Sequence, residues 1–442
     1  MAITDIKEFA HLTEEDLEAF GRELDAVRRD IEDSRGERDA SYIRRTIKLQ
    51  RCLELGGRIV LLGSKYRPAW LVGTAMLSVA KIVENMELGH NVMHGQWDWM
   101  NDPEIHSVSW EWDQTGPSEQ WKRAHNYSHH TYTNIVGMDD DIGFGILRMT
   151  RDEAWRPINL LQPFANIVLA ATFEWGIAIH DCRQQKEMDG EMALPYWQSP
   201  SNRAFWAKII RQVGKDFVLF PALSGPAWKS TLTANTTANL VRNLWAYAVI
   251  FCGHFPDGAE KFTMGQFESE TRAEFYLRQM LGSANFDAGK IMAFMSGNLC
   301  YQIEHHMFPD LPSNRYAEIA EKVHALCEKY DLPYTTGSLG KQYLLALRTI
   351  HKLSLPDSWL RATSDNAPET SSERRFRTGD TPVVHALTID PLTGKRRGLR
   401  SAIAEARVQL RHAKKEAKRQ ARALRRASKG GRPVSSLTPT DS

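Results

Sequence analysis

The stretch "KRAHNYSHHTYTN", from Lys122 to Asn134, holds three histidines close together: His125, His129 and His130. Neighbouring imidazoles repel one another once they are protonated, so this crowding needs a physical reason. Metal coordination supplies one, because a bound cation holds imidazole rings neutral and convergent. We therefore expect other parts of the chain to supply further histidines to the same place.

Three other segments carry histidines that could join the same metal site. They are "ELGHNVMHG" with His90 and His94, "CGHFPDG" with His254, and "YQIEHHMFPDLP" with Gln302, His305 and His306. Together with the first stretch they hold eight of the 15 histidines of the chain. Taken alone, His254 beside Gly253 is more typical of a capped helix end. The other histidines lie in polar or isolated contexts and are predicted to be surface residues: His11, His106, His180, His324, His351, His385 and His412.

The spacing of these histidines predicts two metal ions. Residues four apart lie on one face of a helix, so His90 with His94, and His125 with His129, can each serve one ion. His130 is rotated by about a third of a turn from its neighbour and points to a second ion. The adjacent pair His305 and His306 repeats that division, and Gln302 lies one turn before both.

The donor set favours iron over zinc. Structural zinc sites are closed four-ligand sites that often include cysteine, whereas eight imidazoles without cysteine exceed one such site. Two irons, each leaving a position for oxygen, fit better. We predict no catalytic side chain beyond the metal ligands.

Three apolar stretches predict helices that cross a membrane. They are residues 69–83, 160–179 and 237–253, the last preceded by a short apolar stretch at 217–228. The second approaches the ~20 residues that a bilayer core demands, and Trp and Tyr lie near the ends of the stretches, as interfacial anchors do. Glu174 and Arg242 interrupt the stretches and support the alternative of buried helices in a soluble enzyme. We favour the membrane interpretation: an all-α integral membrane bundle of about four spans, with a cytosolic helical cap that holds the His-ligated di-iron site.

The chain divides into three regions by composition. Residues 1–40 predict a cytosolic helical region, in which Thr13 and Asp16 resemble a capping box. Residues 41–355 form the membrane domain, and residues 356–442 form a linker and a basic, partly disordered tail. The tail is most typical of a solvated segment. Docking on anionic lipid and recruitment of an electron donor are alternatives. No nucleic acid partner is expected, because aromatic residues are not interleaved with the basic residues. The five scattered cysteines form no CxxC pair, and no secretory signal peptide is expected at the polar N-terminus.

The order of the motifs resembles a known family. "HNVMH", "HNYSHH" and "QIEHH", flanked by apolar segments, resemble the three histidine boxes of the membrane fatty-acid desaturase superfamily over about residues 60–335. Gln302 stands where glutamine commonly replaces the first histidine of the third box. Over nearly the whole chain the sequence is similar to the actinobacterial acyl-CoA 9-desaturase branch.

The resemblance implies a site and a reaction. The ligands it implies are His90, His94, His125, His129, His130, His254, His305 and His306, with Gln302 as a weak ligand or an outer partner. It implies two iron ions, O₂ as co-substrate and a cis double bond introduced into a saturated acyl chain, stearoyl- or palmitoyl-CoA at position 9. Electrons would come from a separate NAD(P)H-dependent flavin/iron–sulfur reductase. Ile250 departs from the animal acyl-CoA enzymes, in which an Asn at this position holds a water ligand.

The ligands must meet on one side of the membrane, which constrains topology. The chain should cross the membrane an even number of times between His130 and His254. Residues 41–89 should either form a membrane hairpin that turns near Lys65–Pro68 or not cross the membrane at all. We expect a multi-pass protein of the cell membrane, in contact with its lipids, with the histidines and both termini on the cytoplasmic side.

Two other functions remain open from the residues. A di-iron membrane hydroxylase or alkane monooxygenase would use the same ligands, and a non-catalytic membrane metal-binding or transport protein would bind metal without oxygen chemistry. The tryptophans after the first motif have two equal interpretations, interfacial anchoring or lining of an acyl tunnel: Trp97, Trp99, Trp110 and Trp112.

Overall fold

The computed structural model describes residues 9–256, 259–268, 270–357 and 415, and within these residues the chain is all-helical. The only β pairing in these ranges consists of two isolated bridges, Ile135 with Phe262 and Asp287 with Ser338. The predicted all-α class is therefore confirmed. The predicted basic tail lies outside the described residues, apart from Lys415.

Twelve helices of the described chain carry the architecture. They are α1 Glu14–Asp33, α2 Glu37–Leu61, α3 Arg67–Val83, α4 Gln162–Ala171, α5 Phe173–Met188, α6 Pro200–Val213, α7 Trp228–His254, α8 Arg272–Gly282, α9 Lys290–Met295, α10 Gln302–Met307, α11 Tyr316–Lys329 and α12 Leu339–Ser354. Three π-helices interrupt this series: π1 Glu84–His90, π2 Lys122–His129 and π3 Gly214–Leu219. Short helices lie at Asn91–Met93, Ser118–Trp121, His130–Tyr132, Phe220–Leu223 and Met264–Phe267.

The N-terminal helix begins at the predicted capping box. The Thr13 hydroxyl accepts from the Asp16 backbone N–H at 3.1 Å, and the Asp16 carboxylate accepts from the Thr13 N–H at 3.0 Å. One face of α1 buries Phe20 and Leu24 against α8 and α11. The N-terminal region is thus packed onto the body that carries the third histidine motif.

Helices α2 and α3 form the predicted hairpin. The chain turns at residues 62–66, where Pro68 follows in the first turn of α3 and suits a helix start. Helix α7 packs along α3 and also contacts α4, α5 and α12. This brings the chain before His254 alongside the chain before His90.

The apolar stretches differ from the predicted spans. The stretch 160–179 is divided at Thr172, whose backbone is not helical, into α4 and α5. The stretch 217–228 is broken into the end of π3, the short helix Phe220–Leu223 and a 3-10 turn. About four spans were predicted, but none of the helices in the described ranges combines the length and the apolarity that a bilayer crossing requires.

Helix α10 lies between two hydrophobic cores. Ile303 and Met307 belong to the core that α1, α8 and α11 share. Leu299 and Cys300, just before the helix, belong to a second core around Phe173 of α5 and residues of α7. Packing on both sides fixes α10, so the side chains of His305 and His306 are held by the fold.

Candidate metal centre

The eight histidines predicted as ligands form one contiguous cluster. The ring centroids of His94 and His305 are 4.8 Å apart, and those of His130 and His306 are 4.6 Å apart. The ring of His254 lies 4.8 Å from that of His306. All eight are buried except His125, which is partly exposed. The structure therefore brings together side chains from all four sequence segments.

Within the cluster the nitrogens form two groups, each close enough to hold an ion. The first group comprises His90, His94, His125 and His305, and the second group comprises His129, His254 and His306. In each group one nitrogen per residue lies within 4.8 Å of the others. The ring of His130 lies between the groups, 4.9 Å from that of His305. The adjacent residues His305 and His306 serve different groups, as their rotation around the helix predicts.

The pairing in the second motif differs from the prediction. His125 joins the first group and His129 the second, although these two also form a third close set with Asp141. The cause is local: this motif lies in π2, and the first motif begins at the end of π1, where α-helices were predicted. A π-helix has a wider turn and recurs at functional sites, so α-helical spacing does not assign these rings correctly.

The outer nitrogens of the rings are held by hydrogen bonds. Nδ1 of His129 lies 3.0 Å from an Asp139 oxygen, and Nδ1 of His306 lies 3.2 Å from Oε1 of Gln279. Nε2 of both rings is buried and has no hydrogen-bond partner among the described residues. Metal-bound histidines have this arrangement, with one nitrogen anchored and the other directed at the ion. The residues present therefore fit a bound metal.

Burial keeps most of these rings neutral. It lowers the pKa of His90 to about 3 and holds the pKa values of His305 and His306 well below the ordinary value, with neighbouring imidazoles adding to the effect. His129 is the exception: burial lowers its pKa, but the Asp139 carboxylate together with Asp141 outweighs burial, and the net pKa is raised. Neutral imidazole is the form that binds metal, so most of the cluster is prepared for a cation.

Comparison with known proteins agrees with this geometry. Residues 68–338, which include all eight histidines, match the model of the fatty acid desaturase family. The chain belongs to the fatty acid desaturase family. The resemblance seen in the three histidine motifs is thereby confirmed.

Relatives of this desaturase differ in the names of their substrates. The chain is 57% identical over 411 residues to the NADPH-dependent stearoyl-CoA 9-desaturase of two strains of Mycobacterium tuberculosis, which covers 92% of this chain and 95% of the relative. It is 24% identical over 273 residues to the sn-1 linoleoyl-lipid 6-desaturase of a Synechocystis strain, covering 60% of this chain and 75% of the relative. A fatty acid desaturase 2-like protein of mouse is 23% identical over 259 residues, which is 56% of this chain and 48% of the relative.

Gln302 lies beside the second group of the desaturase. Its Nε2 is 3.0 Å from Nε2 of His254, while its Oε1 is buried without a hydrogen-bond partner among the described residues. The second group has three histidines, one fewer than the first. A free oxygen next to the smaller group is consistent with the predicted role of Gln302 as a weak ligand or an outer partner.

A cavity adjoins the imidazole cluster. Its lining includes the histidines His90, His125, His129 and His254, polar side chains such as Glu174 and Asn243, and apolar side chains that include Trp112, Phe144, Phe173 and Ile177. Ile250 also lines this cavity. Of the two interpretations given for the tryptophans, tunnel lining therefore fits Trp112, whereas Trp97 is fully buried in a core with Ile43.

One histidine beside the cluster was placed wrongly from the sequence. His180 was predicted to lie on the surface, but its side chain is only 9% exposed and its Nε2 lies 3.0 Å from Asp141. Burial lowers the pKa of His180, yet the hydrogen bond and charge of Asp141, together with the nearby Asp181 and Asp140 carboxylates, outweigh burial and raise the pKa to about 8. The other oxygen of Asp141 lies 3.4 Å from Nδ1 of His125. The acidic run after the second motif was visible in the sequence, whereas nothing local linked His180 to it.

Gly297 lies against the backbone of π1, so replacing it tests how closely these two segments pack. Its φ is +69°, and a Cβ atom there would lie 2.3 Å from the Met86 carbonyl oxygen in π1. Backbone strain and overpacking each cost about 1–3 kcal/mol, so Gly297→Ala should lower the free energy of unfolding by about 3 kcal/mol. Thermal unfolding of the purified protein measures this loss. Gly214→Ala is the control, because no atom lies within 4 Å of a Cβ at Gly214; equal unfolding temperatures for the two variants would contradict the predicted contact.

Proposed function

We propose that this desaturase uses O₂ to introduce a cis double bond at position 9 of a saturated acyl chain carried on coenzyme A, with stearoyl- or palmitoyl-CoA as substrate. The observation that carries the proposal is the cavity that places apolar walls against two groups of buried imidazoles. The relative that is 57% identical and bears the name stearoyl-CoA 9-desaturase supports the substrate and the position.

The chemistry requires an oxidant that side chains cannot provide. A methylene of an acyl chain has no acidic hydrogen, so a general base cannot begin the reaction. Two irons, held by the first group and the second group with His130 between them, would supply oxygen-dependent removal of hydrogen from carbon. The donor set of imidazoles without cysteine suits such ions.

The side chains of the cavity bind and orient the substrate. Trp112, Phe173 and Ile177 present apolar surface to an acyl chain and exclude water from the imidazole cluster. The position of the double bond then depends on how deeply the chain enters before two of its carbons lie beside the rings, because reaction requires correct placement of the reacting atoms. Asp139 and Gln279 hold the rings of His129 and His306 in place while this occurs.

Electrons come from a separate protein in this proposal. The described cysteines form no disulfide bonds, and four of them are buried: Cys182, Cys252, Cys300 and Cys327. Their spacing does not match an iron–sulfur motif. The Mycobacterium tuberculosis relative is named as NADPH-dependent. We propose an NAD(P)H-dependent flavin/iron–sulfur reductase as the partner.

The proposal also places the protein in the cell membrane, with its histidines and termini on the cytoplasmic side. Large apolar side chains are exposed on α2 and α4, including Ile59 at 57%, Phe164 at 67% and Ile167 at 67%. Exposed apolar surface of this kind is typical of contact with lipid or another protein. The protein should remain in the membrane pellet after an alkaline carbonate wash, and its release into the supernatant would contradict this placement.

Product analysis tests the proposed reaction. The chain should be expressed with an NADPH-dependent reductase in a host that cannot make unsaturated fatty acids, and the fatty acids analysed by mass spectrometry of derivatives that locate double bonds. We expect oleate and palmitoleate, and neither should form with the reductase alone. A hydroxylated product would instead support a monooxygenase, and a protein that contains zinc and forms no product would support a non-catalytic metal-binding role.

A further inference from the structure

A buried amide links two ligand histidines that are distant in sequence. Gln96 is fully buried, and its Nε2 lies 3.3 Å from Oδ1 of Asn91 and 3.0 Å from the Tyr316 hydroxyl. Oδ1 of Asn91 lies 3.1 Å from Nδ1 of His90, and the Tyr316 hydroxyl lies 3.1 Å from Nδ1 of His305. One side chain therefore contacts the outer partners of two members of the first group.

The direction of the hydrogen bonds is fixed at Asn91. Its Nδ2 donates to the carbonyl oxygens of Glu87 and Gly297, each at 3.2 Å. Its Oδ1 must then face His90, and an amide oxygen can only accept. Nδ1 of His90 therefore carries the hydrogen, which leaves the lone pair on Nε2 for an ion.

The same reasoning applies at Tyr316. Its hydroxyl accepts from Gln96 and donates to the Phe308 carbonyl oxygen at 3.2 Å. A hydroxyl has a single hydrogen, so towards Nδ1 of His305 the oxygen acts as an acceptor. His305 then carries its hydrogen on Nδ1, and its Nε2 is buried without a hydrogen-bond partner among the described residues.

The orientation of Gln96 is itself determined by its surroundings. Its Oε1 accepts from the Ser313 backbone N–H at 2.8 Å, and its Nε2 also lies 3.0 Å from the Pro309 carbonyl oxygen. A flipped amide would place Oε1 against acceptor oxygens and Nε2 against an N–H. The two amide hydrogens of Gln96 are thus committed to the side where Pro309, Tyr316 and Asn91 lie. Since two hydrogens face three acceptors, the longest contact, to Asn91 at 3.3 Å, is a shared hydrogen bond.

We propose that Gln96 is a positioning residue, whose amide hydrogens hold His90 and His305 in the orientation and tautomer that present Nε2 to the ion of the first group. This inference rests on the proposed pair of metal ions. It assigns to Gln96 a role in one of the two metal positions only. His129, His254 and His306 use other outer partners or none that the structure describes, so the second group should not depend on Gln96.

Metal titration of two variants tests this role. Gln96→Glu keeps the length and the acceptor but replaces the donors with an oxygen, and Gln96→Met removes both. Metal-depleted protein would be titrated with Fe²⁺, and separately with Co²⁺ as a spectroscopic probe. Wild type should bind two ions per chain, whereas each variant should bind one ion normally and the other about 10–100-fold more weakly, the usual loss when an outer partner is removed.

Gln162→Glu is the matched control for buried amide loss. Gln162 is buried, accepts from the Arg148 N–H at 2.8 Å and donates to the Ile350 carbonyl oxygen at 2.9 Å, without contact to a ligand histidine. This variant should lose thermal stability yet bind both ions normally. If both Gln96 variants bind two ions with wild-type affinity, or weaken both ions equally, the inference is wrong. If wild type itself fails to bind two ions, the proposed metal pair is wrong instead.

Discussion

Replacing His305 with alanine should abolish desaturation and remove one of the two proposed metal ions. His305 has no solvent exposure, and its ring lies 4.9 Å from that of His90 and 4.8 Å from that of His94, so it is central to the first group. Its loss leaves the first group with three of its four rings. The loss of product should exceed the 10–100-fold typical of an outer partner, measured as unsaturated fatty acid formed per chain with the reductase in excess.

His324→Ala is the control for this variant. His324 lies on α11 with 52% of its side chain exposed, beside Glu328, and it is not a member of either group. Its replacement should leave product formation and iron content unchanged. Product formation by His305→Ala at the wild-type rate would show that the first group is not the reacting centre.

The clustering of the eight histidines could be predicted because the signal is local. Each motif places its histidines within a few residues, and the order of the motifs resembles a known family. The grouping of those rings could not be predicted in full. His125 and His129 separate into different groups because their segment is a π-helix, and the sequence spacing gives no sign of that geometry.

The outer partners show a second limit, which is distance along the chain. Asp139 follows His129 by ten residues and formed part of a visible acidic run. Gln96 and Tyr316 are 220 residues apart, and His180 and Asp141 are 39 apart. Such contacts depend on how helices pack, so sequence patterns alone do not reveal them.

The helix class was predicted correctly, but the apolar stretches were harder to interpret. Glu174 and Arg242 counted as two separate charges that interrupt apolar sequence. In the structure they form an ion pair between α5 and α7, and both side chains are buried. Two charges that argue against membrane spans when counted singly are mutually satisfied once the helices pack.

That ion pair should make Arg242→Met strongly destabilising. Arg242 also donates to the Asp113 carbonyl oxygen and the Asn239 side chain, both at 3.1 Å. Removing the arginine leaves the Glu174 carboxylate buried without its cation, which costs about 3–5 kcal/mol. Because Glu174 and Asn243 line the cavity, product formation should fall as well. The midpoint of thermal unfolding, measured by loss of folded protein on heating, should drop clearly below that of wild type.

A paired variant separates the lost charge partner from lost packing. If the unpaired carboxylate is the main cause, adding Glu174→Gln to Arg242→Met should recover part of the stability, since an amide costs less to bury than a carboxylate. Arg183→Met is the surface control, because Arg183 lies on α5 with Glu174 but forms an exposed pair. Arg183 pairs with Glu187, and its side chain is 69% exposed. Exposed ion pairs contribute only about 0–1 kcal/mol to stability. An Arg242→Met protein that unfolds at the same temperature as Arg183→Met would show that the buried pair does not hold α5 against α7.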